Sequence, residues 1–207
     1  SDNFYVIFLA KAINTTGLPV SAVNTSSINA GAVTDAKIAG MAATKLTGTV
    51  ASARLPSGSI LQAVGDKQGT GTGVTPSSNA TWLGTGFGKS ITPTSTSSKI
   101  LIMCTVILYN GNSGQYYSAN IYRHSAAFTA NGAVSGTQIF NDDRGFGSAY
   151  AHNSTNVFGT LSANFIDSPN TTSEIYYNVC HKRSGSSSGI FDGYNMDNTL
   201  VLLEVAG

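Results

Sequence analysis

The sequence predicts an all-β protein that includes one extended segment, and three observations lead to this prediction. Ser, Thr, Asn and Gly are frequent, whereas only 10% of the 207 residues are charged. Short polar side chains of this kind favour turns and strand ends over helix interiors. Apolar runs of strand length recur at fairly even spacing in residues 63–207, and no amphipathic run is long enough to form a core helix.

Residues 1–17 are predicted to form the end strand of an upstream β domain. The run FYVIFLA at residues 4–10 is apolar and rich in β-branched and aromatic side chains, and NTTG at residues 14–17 is typical of a strand end. A strand of this kind needs partners, because an isolated strand has no stability of its own. We therefore expect the partners to lie further toward the N-terminus, or to come from copies of the same strand.

Residues 18–62 are predicted to form an extended stalk in which three chains intertwine. The larger apolar residues recur at steps of three to five residues, which fits neither a strand nor a helix, and Gly31, Gly40 and Gly48 interrupt any helical turn. A single chain cannot bury such a row, whereas three chains around one axis can. The alternative is a flexible linker. The residues predicted to form the trimer stalk core are Ile28, Val33, Ile38, Leu46, Val50 and Leu55.

Residues 63–207 are predicted to form a C-terminal knob, a jelly-roll-like β-sandwich. Eight short apolar runs are separated by turn signals such as DSPNTTS at residues 167–173, where Pro169 presets the backbone for a turn. The predicted strands are 82–93, 98–109, 115–124, 136–143, 157–167, 173–183, 189–196 and 198–206.

The composition argues against two classes of function. The net charge is +1 and no basic stripe is present, so nucleic-acid binding has no electrostatic basis. The longest apolar runs, residues 4–10 and 100–109, are too short for a membrane-spanning helix, so we expect no membrane insertion.

No motif supports catalysis, a cofactor or a metal. Asp142 and Asp143 resemble a glycosidase carboxylate pair, but adjacent residues point in different directions and Arg144 is an expected ion-pair partner. GTGTG at residues 69–73 lacks the spacing and the following helix of a dinucleotide loop. GSSSG at residues 185–189 lies between strands instead of forming a nucleophile elbow. The protein is therefore predicted not to be an enzyme.

Two other sets of residues also favour ordinary structural roles. Cys104 and Cys180 lie in apolar runs, which favours two buried thiols, with a disulfide as the alternative. His124, His152 and His181 are scattered without the spacing of zinc ligands, which favours exposed positions or polar strand ends.

Aromatic side chains amid Asn, Ser and Gly support a binding function, since rings stack on sugars or protein surfaces while short polar groups adapt to them. The loop GFGSAYAHNST at residues 145–155 is the main candidate, whereas Trp82 and Tyr177 are predicted to be core or interface residues. The candidate receptor-binding residues are Tyr116, Tyr117, Phe146, Tyr150, His152, Asn153 and Tyr194.

The order of several motifs resembles one family. SDNFYVIFLAKAIN, then AGAVTDAKIAG, then KLTGTVASARLPSGSILQAV, then ITPTSTSSKILIMCTVILY, and a closing NTLVLLEVAG together resemble tail-fibre or other virion-fibre proteins of tailed bacteriophages that infect marine cyanobacteria. The resemblance covers nearly the whole chain.

This resemblance implies a homotrimer whose distal knob binds a bacterial surface glycan, lipopolysaccharide or outer-membrane protein. It also implies contacts with other virion proteins through an N-terminal part, and a location in the virion on the phage tail fibre. The alternative is a head fibre or a capsid decoration protein with a structural role. A depolymerase is disfavoured, because the chain lacks the length and the converging carboxylates of such an enzyme.

Overall fold

The computed structural model describes residues 28–34, 50–51, 54–69, 73–77, 80–153, 156–185, 189–192 and 196–207. The chain divides into two units, residues 1–49 and residues 50–207.

In the first unit, the described residues 28–34 contain a turn in which the Ala32 N–H donates to the Asn29 carbonyl over 2.9 Å. Ile28 and Val33 are exposed there. The predicted end strand at residues 1–17, and the predicted stalk residues Ile38 and Leu46, lie outside the described residues.

The second unit is a β-sandwich. Its strands in the described ranges are β1 (Ile60–Gln68), β2 (Leu83–Ile91), β3 (Lys99–Asn110), β4 (Tyr116–His124), β5 (Thr137–Gln138), β6 (Gly147–Tyr150), β7 (Val157–Asp167), β8 (Ile175–Arg183), β9 (Ile190–Phe191) and β10 (Asn198–Val205).

Two antiparallel sheets build the sandwich. We call the sheet with strand order β1-β10-β3-β7 sheet A, in which β9 also pairs with β3. We call the sheet with order β2-β8-β4-β5 sheet B, in which β6 also pairs with β4. The long strands β1, β2, β3 and β4 alternate between the sheets, and so do β7, β8 and β10, as in a jelly roll. The predicted all-β, jelly-roll-like sandwich is confirmed.

Strict alternation of burial explains why β3 forms the centre of sheet A. Every second residue of this strand, from Ile100 to Leu108, is buried, because successive side chains of a strand point to opposite faces of the sheet. The same period in β10 buries Leu200 and Leu202. Residues from sheet B complete the core: Phe87, Ile91, Tyr117, Ala119, Ile121, Ile175, Tyr177 and Val179.

A polar cluster joins the two sheets at one side of the core. Arg123 of β4 forms an ion pair with Asp167 of β7, and the Tyr177 hydroxyl donates to the same carboxylate over 2.7 Å. Burial raises the pKa of Tyr177, and the hydrogen bond to Asp167 raises it further. The ion pair is therefore hydrogen-bonded as well as charged, which a buried charge requires.

Strand boundaries differ from the prediction where strands are short. Of the strand predicted at 136–143 only Thr137–Gln138 pairs, and of 189–196 only Ile190–Phe191 pairs within the described residues. β1 was not predicted, and β6 was predicted as part of a loop. Both lie in Gly-containing sequence with weak strand character, and pairing with β10 and β4 makes them strands.

Candidate functional site

A small pocket opens on the outer face of sheet B, where β4 begins and β8 ends. Ser118 of β4 and Lys182 of β8 are register partners, and both point away from the core because Tyr117 and His181 point into it. The pocket has a volume of about 150 Å³. We call it the tyrosine pocket; its main lining residues are Tyr116, Ser118, Asp143, Arg144, Lys182 and Arg183.

An aromatic pair stands at the pocket. Tyr116 of β4 lies opposite Tyr150 of β6, and their ring centroids are 4.8 Å apart. The Arg144 guanidinium lies 3.6 Å from the centre of the Tyr116 ring, a cation–π contact. Tyr150 remains 42% exposed. Cross-strand pairing thus brings together two predicted residues that are far apart in sequence, and it places an exposed ring beside a cation.

Lys182 is the most buried cation of the pocket. Its side chain is 10% exposed, and its ammonium group donates to Asp143 over 2.6 Å and lies 4.8 Å from the Trp82 ring centre. The hydrogen bond and the charge of Lys182 lower the pKa of Asp143. The predicted ion-pair partner of the acidic pair was Arg144, but the ion pair forms with Lys182. The charge of Arg144 adds to the lowering of the Asp143 pKa, and the backbone N–H of Arg144 donates to the Asp142 carboxylate over 2.8 Å.

Lys182 was not predicted from the sequence as a site residue, and Arg144 was predicted only as an ion-pair partner. In both cases the local sequence contains a feature that points to the site. In the run CHKR, the period of two places Lys182 on the face opposite His181. Arg144 follows two aspartates that lie just before a predicted binding loop.

The remaining predicted receptor-binding residues lie in different places. His152 is exposed, and its ring centroid is 6.1 Å from that of Tyr150. Asn153 is exposed in the same loop, with a φ of 50° in the left-handed region that Asn tolerates. Tyr194 lies outside the described residues.

Two of the predicted binding residues pack into or against the core. Tyr117 is fully buried in the core, so its predicted exposure to a receptor was wrong; it neighbours Tyr116 in a strand and therefore points to the opposite face. Phe146 packs against the core and makes an edge contact with Phe140 at 5.5 Å, so it is not an exposed surface ring either. The candidate site therefore centres on Tyr116, Tyr150 and Arg144.

His181 is also buried, although a polar or exposed position was predicted for it. It lies in the middle of sheet B with its Nδ1 2.6 Å from the Tyr117 hydroxyl. Cys104 and Cys180 are free and buried, and burial raises the pKa of Cys104 to about 12. Within the described ranges, no group of three or more His, Cys, Asp or Glu side chains is arranged to hold a metal ion.

The outer face of sheet B is covered by loops of the same chain. Asn178 of β8 accepts a hydrogen bond from the Phe128 N–H over 2.9 Å and donates to the Ala126 carbonyl over 3.1 Å. Asn120 of β4 donates to the Phe140 carbonyl over 3.0 Å. Polar outward side chains thus anchor these loops, which leave the tyrosine pocket open at one end of the sheet.

The outer face of sheet A is different, because apolar side chains stand on it and are half-buried or exposed. Leu203 of β10, Leu101 of β3 and Ile166 of β7 are aligned side by side across three strands. Ile166 is 55% exposed and Ile60 is 60% exposed. We call this surface the apolar face; it consists of Ile60, Leu101, Met103, Ile166, Val201, Leu203 and Val205.

The apolar face lies at the end of the sheet where β1 begins. Leu55, a predicted stalk residue, lies five residues before Ile60 and lines a cavity of about 360 Å³ together with Leu61 and Ala206. Val50 is exposed. The stalk itself remains a prediction, as does the role of these residues in its core.

No helix in the described part of the chain is long and apolar enough to cross a membrane.

No protein-family model and no curated protein sequence matches this chain. Among solved structures, it is similar to one of the Gx strain of infectious bursal disease virus, with a TM-score of 0.37, 13% identity and coverage of 72% of this chain and 33% of that one. It is also similar to a VP2 subviral particle of infectious bursal disease virus, with a TM-score of 0.37, 14% identity and coverage of 72% and 40%. The chain thus spans between a third and two-fifths of the length of these viral chains, and a likeness at this TM-score supports no argument about function.

Proposed function

We propose that this chain is the distal part of a homotrimeric bacteriophage tail fibre, and that its β-sandwich knob binds the surface of a bacterial host. The observation that carries the proposal is the Tyr116–Tyr150 pair beside Arg144, in which Tyr116 is half-buried and Tyr150 is exposed. Paired rings next to hydrogen-bonding groups suit a sugar, which presents both apolar and hydroxyl surfaces. The proposal describes a binding protein and not a catalyst.

The apolar face supports the trimeric part of the proposal. Antiparallel sheets that face water usually have polar outward side chains, whereas Leu101, Met103, Val201 and Leu203 stand on this one. A contiguous apolar surface of this kind is typical of a site that binds another protein chain. The chain enters sheet A at Ile60, which is itself an exposed member of this face.

The two surfaces lie on opposite sides of the sandwich. If sheet A packs toward the axis of the trimer, the tyrosine pocket on sheet B points to solvent in each of the three copies. Three weak sites on one fibre, repeated over several fibres, gain affinity through a high effective concentration. This arrangement suits reversible attachment to a dense surface glycan.

The proposal is tested by adsorption of the fluorescently labelled chain to a panel of marine cyanobacteria and other bacteria, measured by flow cytometry. We expect the wild-type chain to bind at least one strain, and Tyr150→Ala to reduce that binding about tenfold or more, since one lost stacking contact is multiplied by three sites. Tyr176→Ala is the matched control, because Tyr176 lies on the same sheet face at the opposite end of β8.

Equal adsorption of wild-type and Tyr150→Ala chains would remove the tyrosine pocket from the proposal. Absence of adsorption to every strain, together with labelling of capsids instead of tails by an antibody against the chain, would favour the head-fibre or decoration-protein alternative.

A further inference from the structure

We infer that the tyrosine pocket selects an acidic saccharide, one that bears a carboxylate or a phosphate, over a neutral sugar. This inference rests on the proposed function, since it names the class of host glycan that the knob would bind. Its basis is the arrangement of charges around half-buried Tyr116 and exposed Tyr150.

Cations outnumber anions in the pocket. Arg144 and Lys182 line it against Asp143, the one carboxylate among its described lining residues; Arg183 also lines it, but in β8 it follows Lys182 and so points to the opposite face of the sheet. The pocket therefore has an excess of positive charge in a protein whose net charge is only +1. A concave site lined mainly by one sign of charge concentrates ligands of the opposite sign.

The position of Arg144 leaves its N–H groups available to a ligand. The guanidinium carbon lies over the Tyr116 ring, 3.6 Å from the ring centre, a distance that suits stacking. No carboxylate of the described residues lies within ion-pair distance of this side chain. Stacking restricts the side chain, so less entropy is lost when its N–H groups bind a ligand. A guanidinium fixed in this way matches the two oxygens of a carboxylate or phosphate.

Lys182 adds positive charge to the pocket and is not expected to contact the ligand directly. Its ammonium group is held between Asp143 at 2.6 Å and the Trp82 ring at 4.8 Å, and its side chain is largely buried. Asp143, by contrast, is 90% exposed at the side chain, so water screens its charge more than that of Lys182. The potential inside the pocket is therefore positive in spite of the ion pair.

The size of the pocket limits what enters it. A volume of about 150 Å³ admits a charged substituent or part of one ring, and not an oligosaccharide. Tyr150, 42% exposed and 4.8 Å from Tyr116, provides a surface for the rest of the sugar ring next to the bound anion. The arrangement thus fits a sugar residue whose acidic group contacts Arg144.

The test compares three small probes with the full chain: glucuronic acid, glucose 6-phosphate and glucose, with binding followed by saturation-transfer difference NMR titration. We expect both acidic sugars to bind about tenfold more tightly than glucose. Arg144→Gln should reduce the affinity for the acidic sugars to that for glucose. Added salt should weaken the binding of the two acidic sugars and leave the binding of glucose unchanged. Arg54→Gln, which removes the same charge from an exposed position outside the pocket, should change nothing.

Equal affinity for the three probes, with loss of all three in Tyr150→Ala, would overturn the inference but leave host-glycan binding in place. Binding of no probe by a chain that still adsorbs to cells would also overturn it. Selective binding of the acidic probes through Arg144, by a chain that adsorbs to no bacterium, would support the inference and contradict the proposed function. A preference for only one acidic probe would identify whether carboxylate or phosphate is the ligand.

Discussion

The Tyr117 hydroxyl and His181 Nδ1 form a 2.6 Å hydrogen bond in the interior of the sandwich, between β4 and β8. His181 Nε2 is also buried and has no hydrogen-bond partner among the described residues. Burial lowers the pKa of His181 to about 3 from its ordinary value of 6.5. A proton on this imidazole would place an unpaired charge in the core, which is costly.

The first prediction concerns acid stability. Between about pH 6.5 and 3 the unfolded chain binds a proton at His181 that the folded chain does not, so the free energy of unfolding falls as pH falls. The expected slope from this one group is about 1.4 kcal/mol per pH unit. Urea unfolding at a series of pH values measures it.

The matched variants for this test are His181→Gln and His152→Gln. His181→Gln should reduce the slope of the unfolding free energy against pH by the contribution of one proton. His152→Gln, at an exposed position, is the control and should keep the wild-type slope. Parallel curves for the wild type and His181→Gln would contradict the assignment.

The second prediction concerns Glu204 of β10, which is fully buried. Its carboxylate accepts hydrogen bonds from the Thr94 N–H over 2.6 Å, the Thr94 hydroxyl over 2.8 Å and the Gln62 amide over 2.6 Å. Burial raises the pKa of Glu204, but the nearby Ser98 hydroxyl and the hydrogen bonds from Gln62 and Thr94 lower it by more. This contribution to stability is present above the ordinary pKa of 4.5 and is lost as pH falls below that value.

Glu204→Gln should destabilise the knob by about 1–3 kcal/mol at neutral pH, because an amide group would place donors against the Thr94 and Gln62 donors. Thermal or urea unfolding gives the difference. Glu174→Gln in an exposed turn is the control. A loss as small as that of the control would show that the network does not need a charge.

The third prediction compares two glycines that both have positive φ. Gly145 has a φ of 63°, and a Cβ there would stand 2.0 Å from the Ala119 carbonyl oxygen of β4. Gly114 has a φ of 72°, and a Cβ there would meet nothing within 4 Å. The pair therefore separates backbone strain from close approach.

Gly145→Ala should cost about 3 kcal/mol or more, and Gly114→Ala about 1 kcal/mol, in the free energy of unfolding. Equal losses in the two variants would indicate that strain alone, and not the approach of residue 145 to β4, decides the cost. Because Gly145 adjoins Arg144, the larger loss should also be accompanied by weaker adsorption.

The fourth prediction concerns assembly through the apolar face. Light scattering should give the wild-type chain a mass near three times 21.3 kDa, about 64 kDa. Met103→Lys should lower that mass toward a monomer, because an interface that buries Met103 would have to bury an unpaired ammonium group. Thr172→Lys in an exposed turn adds the same charge and should leave the mass unchanged. A wild-type chain that is monomeric at every concentration would contradict the trimer.

The sequence alone determined the fold class, because period-two burial and turn residues are local properties. The strand predicted at residues 157–167 coincides with β7, and the one at 98–109 differs by a single residue at each end from β3. The same local pattern indicated Cys104 and Cys180 as buried thiols. Each of these conclusions depends only on side chains within one strand or on its own flanking turns.

Only the tertiary structure decided which side of a strand faces the core and which distant residues meet. Tyr116 and Tyr117 are equivalent by composition, and the packing of sheet B against sheet A is what buries Tyr117 and leaves Tyr116 half-buried. The approach of Arg144 and Lys182 to Tyr116 depends on three separate segments. Long-range register has no local signature, since it is set by packing between strands that are far apart in sequence.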